Sequence, residues 1–230
     1  MTVLGIETAT SVCAAAVVSG GRVLHEISID EKYVHAEKLL TMVDEVLGSV
    51  PCPLAALDGI AVSIGPGSFT GLRIGLSVAK GLVYASDKPL VSVPTLESLA
   101  HRILPFVQAD GARPVLAMLN ARRDEVYCQM FRTAEGSLEP EWEERDMTLV
   151  SLLDALGVHE VTVTGDAAMK LRELAQREGR TGVNLAPAHL RTCSAGSIAV
   201  LGEKRLTGGK VVDPGLLEPR YIKEFFTKAH

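Results

Sequence analysis

Ile64 to Ala85 reads IGPGSFTGLRIGLSVAKGLVYA. It opens on Gly65-Pro66-Gly67, a loop signal, because glycine admits positive φ while proline fixes its own φ and donates no N–H. Ser68 is the expected N-cap, its hydroxyl placed to accept from a free N–H of the first turn. The helix predicted to follow carries two stripes. Phe69, Leu72, Leu76, Ala79 and Val83 make an apolar one, and Gly71, Gly75, Val78 and Leu82 one of small and apolar residues. Arg73, Ser77, Lys80 and Tyr84 form a polar edge. One apolar stripe covers one core, so two stripes imply two neighbours. Interior glycine costs about 1 kcal/mol relative to alanine, so Gly71, Gly75 and Gly81 together cost roughly 3 kcal/mol. Close approach of another backbone would offset that. The neighbour is either another element of the same domain or another protein, and the pattern leaves both open. A phosphate-loop reading of GPGSFTG draws on the anion affinity of helix N-termini, but the stretch matches neither the Walker pattern nor the dinucleotide fingerprint.

Working outward, residues 2–8 and 12–18 read as short buried strands, Ser19-Gly20-Gly21 as a hairpin turn and residues 22–29 as a third strand. On that third strand, Val23, His25, Ile27 and Ile29 are expected to share one face. Residues 34–48 have apolar residues at helix spacing. A buried strand over 58–64 leads into the glycine helix, residues 89–93 form another strand, and a helix follows Pro94-Thr95 through Leu104. Beyond Pro105 the order recurs. Strands are predicted over 114–120, 125–132 and roughly 141–147, then a helix over 149–156, a strand over 160–164, a helix over 167–178, a strand over 183–186 and a helix over 195–206. Two β-β-β-α-β-α-β-α halves point to a duplicated α/β fold of the ribonuclease H-like or actin-like (ASKHA) type. The expected division is 1–104 and 105–230, with a terminal helix or tail packing back on the first half.

The chain has 230 residues, 47% hydrophobic and 22% charged, as in ordinary globular proteins. Its net charge of −5, with no basic run, argues against an autonomous nucleic-acid binder. Arg122-Arg123 is followed at once by Asp124-Glu125. Cys13, Cys52, Cys128 and Cys193 lie far apart, without zinc or redox spacing. Buried thiols in a reducing cytoplasm are expected. The apolar N-terminus has no basic n-region and is interrupted by Glu7, so neither a signal peptide nor a membrane span is expected.

Acid–base chemistry needs positioned carboxylates or histidines. Glu7, at the end of the first strand, stands where an α/β sheet places its site; a rim carboxylate bonded to the next loop is the plainer alternative. No two histidines are four residues apart, so no helix offers a two-histidine metal face. Ser63, Ser68 and Ser77 have no recognisable His or Asp partners. Asn120 to Glu125 looks like a polar hairpin tip.

The stretch SIGPGSFTGLRIGLSVAKGLVYA, the opening LGIETAT, HAEKLL, NARRDEVY and the ending DPGLLEPRYIK together resemble the TsaB (YeaZ-type) family of bacterial tRNA threonylcarbamoyladenosine synthesis. The matches are spread over nearly the whole chain. The resemblance implies an actin-like fold and a non-catalytic subunit that pairs with its paralogue TsaD. TsaD transfers the threonylcarbamoyl group to the adenosine beside the anticodon of tRNAs reading ANN codons, with the small ATPase TsaE in the same system. TsaD continues GIET with an acidic pair, where this chain has Ser11 and Val12. TsaD's two metal histidines fall at Thr95 and Leu99, and leucine has no donor atom. No metal, cofactor or peptidase activity is therefore expected of this chain, with ATP and metal on the partner subunits. Glu7, Thr8, Gly165 and Asp166 would outline a vestigial phosphate loop. The expected partner surface comprises Leu40 and Val43 with Gly71, Ile74, Gly75, Val78 and Leu82. It would pair with TsaD, or with itself as a homodimer when TsaD is absent. Little direct tRNA binding is expected. The alternative is a stand-alone nucleotide-dependent ATPase or kinase of the actin-like type.

Overall fold

Gly20 and Gly21, both at positive φ, turn the chain back on itself near its start, as the hairpin signal predicts. The computed structural model describes residues 1–222 apart from Asp110, Ala112, Arg123 and Glu135. Arg123 of the hairpin tip and Lys223 of the DPGLLEPRYIK stretch thus lie outside the described residues. The first half runs β1 (Thr2–Glu7), β2 (Val12–Ser19), β3 (Arg22–Asp30), α1 (His35–Gly48), β4 (Gly59–Ser63), α2 (Phe69–Ser86), β5 (Leu90–Val93) and α3 (Thr95–Arg102). After α4 (Leu104–Ala109) come β6 (Val115–Asn120), β7 (Glu125–Ala134), β8 (Ser137–Pro140), β9 (Arg145–Thr148), α5 (Leu149–Leu156), β10 (Val161–Thr164), α6 (Ala168–Arg177), β11 (Val183–Leu185) and α7 (Ala195–Thr207).

The strands form two sheets. The first is ordered β3-β2-β1-β4-β5; the second is ordered β11-β10-β6-β7-β8, with β9 also paired to β7. In each half a meander is extended by parallel strands, as the predicted element order requires. Alternation along the strands sends Leu4, Ile6, Ile60 and Val62 toward α1 and α2. Val3, Ala61, Val91 and Val93 point the opposite way, onto α7. The last helix of each half serves the other sheet: α7 lies on the first sheet, while α3 packs against β6 and β7.

Three elements differ from the sequence expectation. A short helix, α4, begins at Leu104 and carries Pro105 in its first turn, where proline is well tolerated. The single strand expected near 141–147 is two, β8 and β9, separated by residues 141–144. In β3 a bulge opposite Val17 and Val18 shifts the register, so Val18 faces Val23 and Val17 faces His25. One extra residue flips the side-chain alternation. Val23 therefore points toward Gly196 of α7, whereas Ile27 and Ile29 pack under α1 and α2.

Candidate functional site

The glycine helix starts as its sequence dictates. Ser68 has extended backbone and its hydroxyl accepts from the Gly71 N–H at 3.2 Å. Leu72, Leu76, Ala79 and Val83 are buried on the first sheet, and Phe69 is half-buried. The second stripe divides. A Cβ on Gly71 would lie 2.2 Å from the Thr8 carbonyl oxygen, and one on Gly75 would lie 2.2 Å from Thr8 Oγ1. Both glycines thus make room for the turn after β1 of the same chain. Val43 is also enclosed, 2% exposed in the core beneath α1. The expectation that Val43, Gly71 and Gly75 meet a partner is corrected on these packing grounds. Ile74, Val78 and Leu82 are half-buried at the edge of that core, and Leu40 is 61% exposed. Gly81 is exposed, with open space where a Cβ would stand. It is the glycine of α2 that could admit a close approach from outside.

Glu7 is wholly buried. Its Oε1 accepts from the Ala9 N–H at 2.6 Å and from the Ser63 hydroxyl at 3.0 Å, while its Oε2 has no hydrogen-bond partner. Burial pushes the carboxyl up to about 7, against the lowering effect of those bonds. Thr8 is equally buried. Gly165 is fixed by close packing, since a Cβ there would sit 1.8 Å from the Met118 carbonyl oxygen. Asp166 Oδ1 accepts from the Asn120 N–H at 2.7 Å. Of the four residues expected to outline a phosphate loop, Asp166 alone lines the cleft described next.

That cleft, of about 730 Å³, lies between the turn after β1, the start of α2 and the β6–β7 hairpin. Ser68, Phe69 and Thr70 form one wall, Asn120, Arg122 and Asp166 the other, and Lys32 and Tyr33 the rim. Tyr33 is 94% exposed and holds a left-handed φ of 69°.

Thr95 and Leu99, where the resemblance implies the metal histidines of the catalytic paralogue, are 0% and 1% exposed. Leu99 packs with Leu96, Val115 and Phe131 in the core between the sheets. Among the described residues no three His, Cys, Asp or Glu side chains gather in a metal-holding group, and no helix is long and apolar enough to cross a membrane.

The sequence predicts a terminal helix or tail packing back on the first half and names no contact for it. The segment from Val212 runs along the free edge of β5, where the Val212 N–H donates to the Leu90 carbonyl at 3.0 Å. It ends against α2, where Arg73 Nε donates to the Tyr221 hydroxyl at 3.1 Å and the Tyr221 ring lies 5.2 Å from that of Phe69.

Comparison with known proteins places the chain. The family model described as TsaD: tRNA N6-adenosine threonylcarbamoyltransferase matches residues 23–208. The tRNA threonylcarbamoyladenosine biosynthesis protein TsaB of Haemophilus influenzae is 33% identical over 55% of this chain and 52% of its own length. TsaB of Bacillus subtilis is 31% identical over 68% of this chain and 66% of its own length. The matched stretches thus span about half to two thirds of these relatives. The solved structure of YeaZ from Pseudomonas aeruginosa superposes with a TM-score of 0.79 at 28% identity, covering 96% of this chain and 99% of that one. With its two-sheet actin-like architecture and these matches, the chain belongs to the TsaD family, among its TsaB (YeaZ-type) members.

Proposed function

We propose that this chain is a non-catalytic subunit that binds a TsaD-type paralogue and supports its transfer of the threonylcarbamoyl group to tRNA. The observation that carries this reading is the burial of Thr95 and Leu99, which are closed into the interior at the positions where the resemblance implies the imidazoles of the catalytic paralogue. Neither side chain can replace a histidine ligand, and no solvent reaches them. Metal and ATP then belong to the partner subunits, TsaD and the ATPase TsaE, in the cytoplasm.

The contact surface is the outer face of α1 and α2. Leu40, Ile74, Val78 and Leu82 supply apolar area, and Gly81 lets a partner helix come near. Against the paralogue's equivalent helices this face makes a pseudo-symmetric four-helix contact. In the paralogue's absence it supports a two-fold homodimer, because paralogous surfaces are often self-complementary. With net charge −5 the chain has little to offer tRNA phosphates, which dominate such affinity, so tRNA is held by the partner.

The test is reconstitution. Threonylcarbamoyl transfer to tRNA by TsaD and TsaE is measured with and without this chain, and by this chain alone. Stimulation of the partner with no transfer by the isolated chain is expected. Transfer by the isolated chain, or tight stoichiometric metal lost together with an activity on chelation, would overturn the reading.

A further inference from the structure

The segment 213–222 touches both halves of the molecule at places that matter to α2. In the first half the Arg220 N–H donates to the Ile64 carbonyl at 2.7 Å. The Arg220 carbonyl lies close enough to Gly65 that a Cβ there would be 2.6 Å away. Tyr221 then covers Phe69 and accepts from Arg73, whose guanidinium carbon lies 3.8 Å above the Phe69 ring. The loop and first turn that launch α2 are thus held down along their length, and Phe69 itself lines the cleft between the halves.

In the second half the same segment meets Glu144, in the break between β8 and β9. Arg220 Nε lies 3.3 Å from Glu144 Oε2, with the glutamate side chain 3% exposed and that of Arg220 55% exposed. Glu144 Oε2 has no hydrogen-bond partner, so the contact is charge pairing. Burial raises the Glu144 carboxyl, Arg220 pulls it back down, and Glu97 of α3 opposes that. Glu97 is itself paired with Arg205 of α7 at 2.5 Å. A buried carboxylate beside a second carboxylate depends on its cation, which gives the tail a defined anchor in the second half.

We propose that residues 213–222 are a strap across the two halves, tying the start of α2 to the 141–144 loop so that the order of residues 64–72 depends on an anchor in the other half. The Arg220 backbone grips the first half while its side chain grips the second. A movement of the 141–144 loop away from the first half must break the ion pair or lift the tail from Ile64. The strap is independent of the partner reading, since it uses intramolecular contacts alone.

Hydrogen exchange on the isolated full chain tests it. Glu144 meets the strap through its ion pair with Arg220, so Glu144→Gln is expected to reach residues 64–72 through the strap. Exchange at amides 64–72 is expected to rise about 3- to 10-fold in Glu144→Gln and in Arg220→Ala, with β1, β2 and α1 unchanged and partial recovery in Arg220→Lys. The double variant should add nothing to either single one. Unchanged exchange over 64–72 in a folded Glu144→Gln variant would overturn the proposal. So would a uniform rise across the first sheet, which would mark general destabilisation.

Discussion

Thr8 occupies the space that a side chain at Gly75 would need: a Cβ there would stand 2.2 Å from Thr8 Oγ1 and 3.2 Å from Thr8 Cβ. The glycine of α2 and the threonine after β1 form one packing unit. It joins the sheet end to the helix that begins at the cleft.

Gly75→Ala should therefore unfold more easily, although alanine is the better helix former. Overpacking a tight contact costs about 1–3 kcal/mol. Denaturant midpoints read the loss, and Thr8→Ala in the same chain should recover part of it, because the nearest of the clashing atoms is then gone. A Gly75→Ala chain as stable as the parent would mean that the turn moves aside at no cost.

Glu7 gives the stability a pH dependence. Folding raises its carboxyl from the ordinary 4.5 to about 7, so between those values the folded chain holds a proton that the unfolded chain has released. The resulting stability is fully present below about pH 4.5 and is lost as the pH rises through 7. The difference is on the order of 3 kcal/mol. Unfolding free energies measured at pH 5 and pH 8 should fall by that order in the parent and by much less in Glu7→Gln. Equal slopes in the two proteins would assign the titration elsewhere.

Nucleotide binding by the isolated chain should be weak or absent. Glu7 and Thr8 are sealed in the interior and Asp166 is engaged by the Asn120 N–H. Calorimetric titration with ATP and Mg²⁺ checks this. A low-micromolar dissociation constant lost on Asp166→Ala would favour the stand-alone enzyme reading.

Affinity of the isolated chain for tRNA should be low and nearly independent of salt. Binding measured between 50 and 200 mM salt, with a steep logarithmic slope, would show counter-ion release from a phosphate-binding surface and contradict that expectation.

Much of the fold was legible because strand and helix periods differ and because turn residues mark the joints. Ser68, Gly20 and Gly21 do what their chemistry dictates. What spacing could not reveal was the identity of a neighbour. Gly71 and Gly75 announce that something comes close, but the something is Thr8, remote in sequence and brought there by the parallel pairing of β1 with β4. Val43 was misplaced for a related reason: helix periodicity shows that a residue belongs to an apolar face, and this one lies at its buried centre. Val23 changed faces through a bulge with no local sequence signal. The tail was expected to pack back on the first half, but its contacts were not legible because its apolar and aromatic residues follow no period; they fit a path along β5 and α2 that exists once the sheet has formed.

The partner face can be tested with a substitution that should not harm the fold. Gly81 is exposed with nothing near its missing side chain, so Gly81→Leu should strengthen α2 by up to about 1 kcal/mol. The same leucine would prop a partner helix away, at a cost of about 1–3 kcal/mol, or roughly 5- to 150-fold in affinity. The decisive measurement is the calorimetric affinity of the full chain for TsaD in the parent, in Gly81→Leu and in the remote control Glu139→Ala. A Gly81→Leu chain that is at least as stable as the parent, yet binds TsaD 5- to 150-fold more weakly while the control binds normally, is the expected result. Undiminished binding by Gly81→Leu, or no binding of TsaD by the parent chain, would contradict it.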